Sequence, residues 1–152
     1  MYDRTNRPVM PVHLAASAAR TVTGNTGNLK DTTTSLPAGA SYSVFMNVSA
    51  FTNVGAASGC LVTLDQSFDN GTTWITFARF SNATTSTSTE RINIRNGLDI
   101  ATAGAVVSTT SASLNANTLI NRDTRVSWTM GGGTPTITFE VFAFVSPDGL
   151  MV

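Results

Sequence analysis

The final apolar stretch, from Thr136 to Val145, carries hydrophobic residues on both sides of a predicted strand. Successive side chains of a strand point to opposite sides. One side is a core-type face made of Ile137, Phe139, Val141, Ala143 and Val145. Phe142 and Phe144 fall on the other side, where a strand with one face in solvent is polar. A strand that is apolar on both sides is covered on both sides, so we expect another copy or a neighbouring protein to cover these two rings.

The clearest alternation of apolar and polar residues lies between Ser41 and Ser49 and predicts a half-buried antiparallel strand. The apolar side of this strand consists of Tyr42, Val44, Met46 and Val48. Phe45 is the one apolar residue on the polar side. Shorter strands are predicted at 20–23, 90–95 and 105–109.

A hairpin is predicted between segments 60–68 and 74–80. The connection contains Asn70 and Gly71, a pair that tolerates the positive φ angles of tight turns. The Ser/Thr-rich run 81–89 that follows is low in complexity and predicts a mobile surface loop.

A second pair of strands, 124–130 and 136–145, is predicted to form a hairpin across the glycine-rich run 131–135. About seven or eight short strands at this spacing predict an all-β fold, a single antiparallel β-sandwich or jelly roll. We expect residues 1–17 to form an extended N-terminal arm and residues 18–152 to form the β-sandwich domain.

The charge composition favours association with other proteins. The formal net charge is zero and 12% of the residues are charged, about half the fraction usual in soluble domains. Lys30 is the only lysine. A neutral chain has little self-repulsion and no basic excess for binding nucleic acid.

Residues 1–8 lack the apolar centre of a secretion signal, and no run is long enough for a membrane span, so we expect neither export nor a membrane partner.

Catalytic and metal-binding residue patterns are not found in the sequence. His13 is the only histidine and Cys60 the only cysteine, which leaves little material for a catalytic triad or a metal cluster. Segment 65–71 is similar to a calcium loop, but its glycine comes one position late and Thr76 replaces the bidentate acid. The glycines at 131–133 lack the lysine and the helix that a phosphate site requires. We expect no catalytic residues, cofactors or metal, and therefore no enzyme.

One binding function remains open alongside assembly. Trp74, Trp128 and Tyr42 have rings that could stack on sugars, which would make the chain a carbohydrate-binding or adhesin module. Packing in the core or at an interface is the alternative for both tryptophans.

Two segments, LDQSFDNGTTW at 64–74 and TRVSWTMGGGTPTITF at 124–139, give the chain a resemblance to a known family. They resemble small β-sandwich structural proteins of tailed bacteriophages. The resemblance implies a non-enzymatic virion component made in the host cytoplasm. A capsid decoration or cement protein that stabilises the shell is favoured, and a neck, tail or baseplate component is the alternative. The implied partners are the major capsid protein or other virion proteins, together with further copies in a homo-oligomer, with a trimer favoured.

The arm and the second face of the last strand are the expected assembly interface. Arginine is favoured at interfaces because its planar fork is weakly hydrated, and proline at positions 8 and 11 favours an extended arm. The alanine-rich piece Leu14–Ala19 could form a helical turn, although it is too short to be stable alone. The predicted interface residues are Arg4, Arg7, Val9, Met10, Val12, Phe142 and Phe144.

Overall fold

The computed structural model describes residues 11–30, 41–52, 58–80, 83–84, 88–95, 107–108, 115–117, 123–133 and 135–146. All helical or strand structure in these ranges is β, which confirms the predicted all-β fold. The strands are β1 Val12–Arg20, β2 Gly24–Asn25, β3 Ser41–Thr52, β4 Gly59–Gln66, β5 Ile75–Arg79, β6 Ser88–Arg95, β7 Val107–Ser108, β8 Asn115–Asn117, β9 Thr124–Gly131 and β10 Thr136–Ser146.

The strands form two sheets that enclose one core. The first sheet has the order β1-β10-β3-β6-β8 and the second has the order β2-β9-β4-β5-β7. Neighbours are antiparallel, except that β6 pairs with β8 and β5 pairs with β7 in parallel. The fully buried side chains come from both sheets and include Tyr42, Val44, Met46, Ile92, Ile137 and Phe139 from the first and Cys60, Val62, Leu64 and Val126 from the second.

The predicted hairpin between β9 and β10 is wrong. β9 lies between β2 and β4 in the second sheet, whereas β10 lies between β1 and β3 in the first. The chain crosses between the sheets at Gly132 and Gly133, which have φ angles of 65° and 96°. The rings of Trp128 and Phe139 meet edge to face across the interior with centroids 5.8 Å apart. The two strands therefore face each other, and a glycine-rich turn is compatible with this connection as well as with a hairpin.

β1 also departs from the prediction. The piece Leu14–Ala19, considered as a helical turn too short to be stable alone, is part of this strand, and residues 21–23 connect β1 to β2 where a strand was predicted. Pairing with β10 satisfies the backbone of β1, and Leu14 and Ala15 become buried in the core. These tertiary contacts outweigh the helical preference of alanine. The predicted arm boundary at residue 17 falls inside β1.

Arg20 closes an irregularity in the pairing of β1 with β10. The register shifts between Ala15 and Ala18, which interrupts the regular pairing of the two strands there. The Arg20 guanidinium donates hydrogen bonds to the carbonyls of Ala16 (2.9 Å), Ala18 (2.7 Å) and Phe139 (2.7 Å). One side chain thus supplies the donors at the corner where the chain leaves the first sheet.

The predicted hairpin between β4 and β5 is confirmed. The two strands are antiparallel, and their connection contains Asn70 and Gly71 with φ angles of 59° and 87°. The segment 81–89 is more ordered than predicted in the part that the structure describes. Ala83 is buried and forms a backbone bridge with Cys60, with both N–H···O distances at 2.9 Å.

Candidate functional site

The outer side of the first sheet carries a row of side chains that crosses four strands. The strand register places His13 of β1 opposite Phe142 of β10, Phe142 opposite Phe45 of β3, and Phe45 opposite Arg91 of β6. Sequence neighbours on each of these strands are buried in the core, among them Leu14, Val141, Val44 and Ile92. Because side chains alternate along a strand, this row faces away from the core.

Three phenylalanine rings in this region pack against each other outside the core. Phe45 and Phe142 stack with centroids 5.3 Å apart and planes 10° from parallel. Phe144 meets both rings edge on, at 5.7 Å from Phe45 and 5.9 Å from Phe142. All three side chains are half-buried. We call the surface formed by Phe45, Phe142 and Phe144 the outer aromatic face.

Polar side chains surround the outer aromatic face. On one side, Asn47 Nδ2 donates a hydrogen bond to Glu140 Oε1 (3.2 Å), and Thr89 Oγ1 donates to Asn47 Oδ1 (3.1 Å). On the other side, Ser43 Oγ donates to Asn93 Oδ1 (2.9 Å). The surface therefore has an apolar centre and a polar border, which is the usual composition of a protein–protein interface.

His13 lies at the edge of this surface. Its ring centroid is 6.0 Å from that of Phe142, and its Nδ1 atom is 4.0 Å from Glu140 Oε2. The His13 side chain is 53% exposed, so it lies at the solvent-accessible border of the outer aromatic face.

The outer side of the second sheet carries a group of polar side chains that bond to each other around Asp65. Asp65 is buried, and its carboxylate accepts hydrogen bonds from four neighbours. The donors are Thr76 Oγ1 (2.8 Å), Thr63 Oγ1 (3.1 Å), Arg125 Nε (3.0 Å) and Ser127 Oγ (2.6 Å). Burial, the largest single influence, raises the pKa of Asp65, but these hydrogen bonds together hold it below its usual value. A carboxylate with this many partners is structural and has little capacity left for a ligand.

Of the three aromatic residues considered as sugar platforms, Tyr42 is buried and the two tryptophans each contact an arginine. Tyr42 is fully buried, so the expectation that it could stack on a sugar is wrong. The guanidinium of Arg125 lies 4.4 Å from the centre of the Trp74 ring. Arg20 lies 4.7 Å from the centre of the Trp128 ring. Each indole therefore has a guanidinium on one of its faces, and sugar binding by the two tryptophans stays a prediction.

The predicted interface residues fall into three groups. Phe142 and Phe144 lie together on the outer aromatic face. Val12 packs against the core, next to His13 on the outer side. Arg4, Arg7, Val9 and Met10 lie outside the described residues. Sequence reasoning left Phe45 out of the site, although its position on the polar side of an alternating strand was a usable signal.

The described residues contain no group of three or more histidine, cysteine or acidic side chains that could hold a metal ion. Burial raises the pKa of the Cys60 thiol to about 11, with a smaller opposing effect of Arg20. At neutral pH this thiol is protonated, and it packs as a small apolar group. Among the described residues, no helix is long and apolar enough to cross a membrane.

Comparison of the chain with models of protein families, with curated proteins and with solved structures gives no match.

Proposed function

We propose that this protein is a non-enzymatic assembly subunit that binds other proteins through the outer aromatic face. The observation that carries the proposal is the packing of Phe45, Phe142 and Phe144 against each other on the side of the sheet that faces away from the core. Folding alone does not require aromatic residues there, since the core of the sandwich is formed by the opposite side of the same strands.

The contrast between the two outer sheet surfaces supports this role. The second sheet presents hydroxyl and charged groups that bond to each other around Asp65. The first sheet presents aromatic rings with polar groups at their border, an arrangement enriched in protein interfaces. A chain with zero net charge adds little electrostatic repulsion between copies.

In its specific form, the proposal is a virion structural protein of a tailed bacteriophage that decorates and stabilises the capsid. The support is the resemblance of segments 64–74 and 124–139 to phage β-sandwich proteins. The partners would be the major capsid protein, or other virion proteins, and further copies of this chain.

Binding to capsid shells tests the proposal directly. Shells are assembled from the major capsid protein encoded with this chain, without the chain itself, and purified protein is added. We expect the protein to bind in fixed stoichiometry and to raise the temperature at which the shells come apart. Electron microscopy of labelled protein on virions distinguishes the capsid surface from the neck or tail. Failure to bind any virion component would overturn the proposal.

A matched pair of variants tests the surface. Phe142→Ser removes a ring from the outer aromatic face, whereas Phe68→Ser removes a ring that is 65% exposed at the tip of the β4–β5 hairpin. We expect Phe142→Ser to weaken shell binding at least tenfold and Phe68→Ser to leave it unchanged, with circular dichroism showing that both variants fold. The reverse result would assign the interface to the hairpin and contradict the proposal.

A further inference from the structure

The direction of β1 determines the side of the first sheet from which the chain enters this strand. β1 is an edge strand, antiparallel to β10, with Val12 opposite Ala143 and His13 opposite Phe142. The start of β1 is therefore directed toward the Ser146 end of β10, away from Phe142.

The sequence of this segment favours continuation away from the domain. Pro8 and Pro11 have fixed φ angles, and the residues before them, Arg7 and Met10, are biased toward extended backbone. Ten extended residues span roughly 33 Å. That reach exceeds the width of four neighbouring strands, which is about 19 Å at a spacing of about 4.8 Å.

The segment matches the outer aromatic face in chemistry. Val9 and Met10 are apolar, and the methionine thioether packs favourably against aromatic rings. Arg4 and Arg7 can stack on phenylalanine rings or bind a carboxylate, and Glu140 lies at the border of the face, bonded to Asn47.

The area of the face also favours an extended occupant. Together with its polar border the face extends over four strands and three rows of side chains, which cover roughly 400 Å², about half of the ~800 Å² that each partner buries in an interface of standard size. A flat contact through this face alone is therefore small. In a closed ring each subunit gives one segment and receives one, so every subunit makes the contact twice.

We propose that residues 1–10 of one copy bind the outer aromatic face of the next copy, joining subunits into a ring. This inference rests on the proposed function, since it names the occupant of the same surface. Because β1 begins at the side away from Phe142, the preceding residues would have to reverse direction to cover the Phe142 of their own copy, whereas a face on a neighbouring copy requires no such reversal.

Mixing two full-length variants tests the exchange. Arg7→Ser combined with Val9→Ser removes the segment's contacts but keeps the face, whereas Phe142→Ser damages the face but keeps the segment. We expect native mass spectrometry to show rings for the unaltered chain and monomers for each variant alone. An equimolar mixture is expected to form a dimer of one copy of each variant, because only one segment and one face remain intact. Variants that fail to form this dimer, or an unaltered chain that stays monomeric, would overturn the inference that residues 1–10 bind the neighbouring copy.

Photo-crosslinking gives a second readout that does not depend on these substitutions. A benzophenone side chain replaces Val9 in chains grown on light and on heavy nitrogen, which are then mixed and allowed to exchange subunits. About half of the crosslinks to peptides of β3 and β10 are expected to join light with heavy chains, as random mixing in a symmetric oligomer requires. Crosslinks within single copies only would overturn the inference. One result would separate this inference from the proposed function. If Phe142→Ser lost shell binding while the Arg7→Ser/Val9→Ser variant kept both shell binding and the ring, the proposed function would hold, but residues 1–10 would not be the occupant of the outer aromatic face.

Discussion

Arg20 lies over the face of Trp128, with its guanidinium carbon 4.7 Å from the ring centroid. The same guanidinium is 3.9 Å from the centroid of Phe139 and bonds to three backbone carbonyls at the irregular part of β1. The indole Nε1–H of Trp128 donates to the carbonyl of Val22 (2.8 Å). These contacts connect both sheets with the segment that passes between them.

Replacing Arg20 with lysine is therefore expected to destabilise the protein. An ammonium group lacks the planar fork that reaches several carbonyls and stacks on rings at the same time, and the part-buried carbonyl of Phe139 is costly to leave without its donor. We expect Arg20→Lys to lower the free energy of unfolding by about 2 kcal/mol in urea denaturation. Arg91→Lys, at an exposed position of β6, is the control and is expected to change it little. Equal effects of the two variants would contradict this role for Arg20.

Gly24 permits the close approach of β2 to Trp128. A Cβ atom at position 24 would lie 3.0 Å from Cζ2 and 3.2 Å from Cε2 of the indole. The indole cannot easily move away, because its N–H is bonded to Val22 and its ring packs against Phe139. We expect Gly24→Ala to destabilise the protein by about 1–3 kcal/mol, as overpacking does in other cores. Gly27→Ala is a useful comparison, because its Cβ would meet nothing within 4 Å while its φ of 75° carries backbone strain alone. A smaller loss of unfolding free energy for Gly24→Ala than for Gly27→Ala would contradict a steric conflict between a Cβ atom at position 24 and the indole.

Acid is expected to destabilise the fold through two aspartates. Hydrogen bonds from Thr73 and Ser67 lower the pKa of Asp69 to about 2, and the pKa of Asp65 is also below its usual value. A carboxyl group whose pKa is lower in the folded state stabilises the fold above its unfolded pKa of about 3.9, and this contribution is lost as the pH falls through the folded pKa.

Urea midpoints measured from pH 5 to pH 2 check this expectation. We expect the midpoint to fall mainly between pH 4 and pH 2. Asp65→Asn is expected to lower stability at neutral pH and to make the dependence on pH shallower, because one of the two linked groups no longer titrates. A midpoint that stays constant over this range would contradict the lowered pKa values.

The predictable parts of the fold are those set by local pattern. The alternation around Phe45 and the apolar residues on both sides of β10 follow from the period of two in strands, and the structure confirms the buried sides of both strands. The turn at Asn70 follows from its tolerance of positive φ.

The remainder depends on which strands pair, and local pattern carries no information on that. The inward residues of β9 and β10 alternate in the same way whether the strands are neighbours or face each other across the core. The position of Phe45 beside Phe142 likewise requires the pairing of β3 with β10, which are far apart in the sequence. The contacts of Arg20 depend on a register shift between β1 and β10 that cannot be predicted from the residue types in these strands.

The two sides of β10 are expected to respond differently to truncation. Phe139 is fully buried, and we expect Phe139→Ala to cost about 3–5 kcal/mol, the range for a large ring removed from a core. Phe142 is half-buried outside the core, so Phe142→Ala is expected to cost roughly 1 kcal/mol, chiefly the aromatic contacts with its neighbours.

Urea denaturation of the two variants at equal protein concentration, low enough to keep copies apart, provides the comparison. A small loss for Phe142→Ala beside a large loss for Phe139→Ala means that folding places little demand on the outer ring. Its presence then has to be explained by something outside the fold, which is the role proposed for the outer aromatic face. Equal losses would mean that the outer rings stabilise the domain itself, and the case for an interface at this sheet would lose its main support.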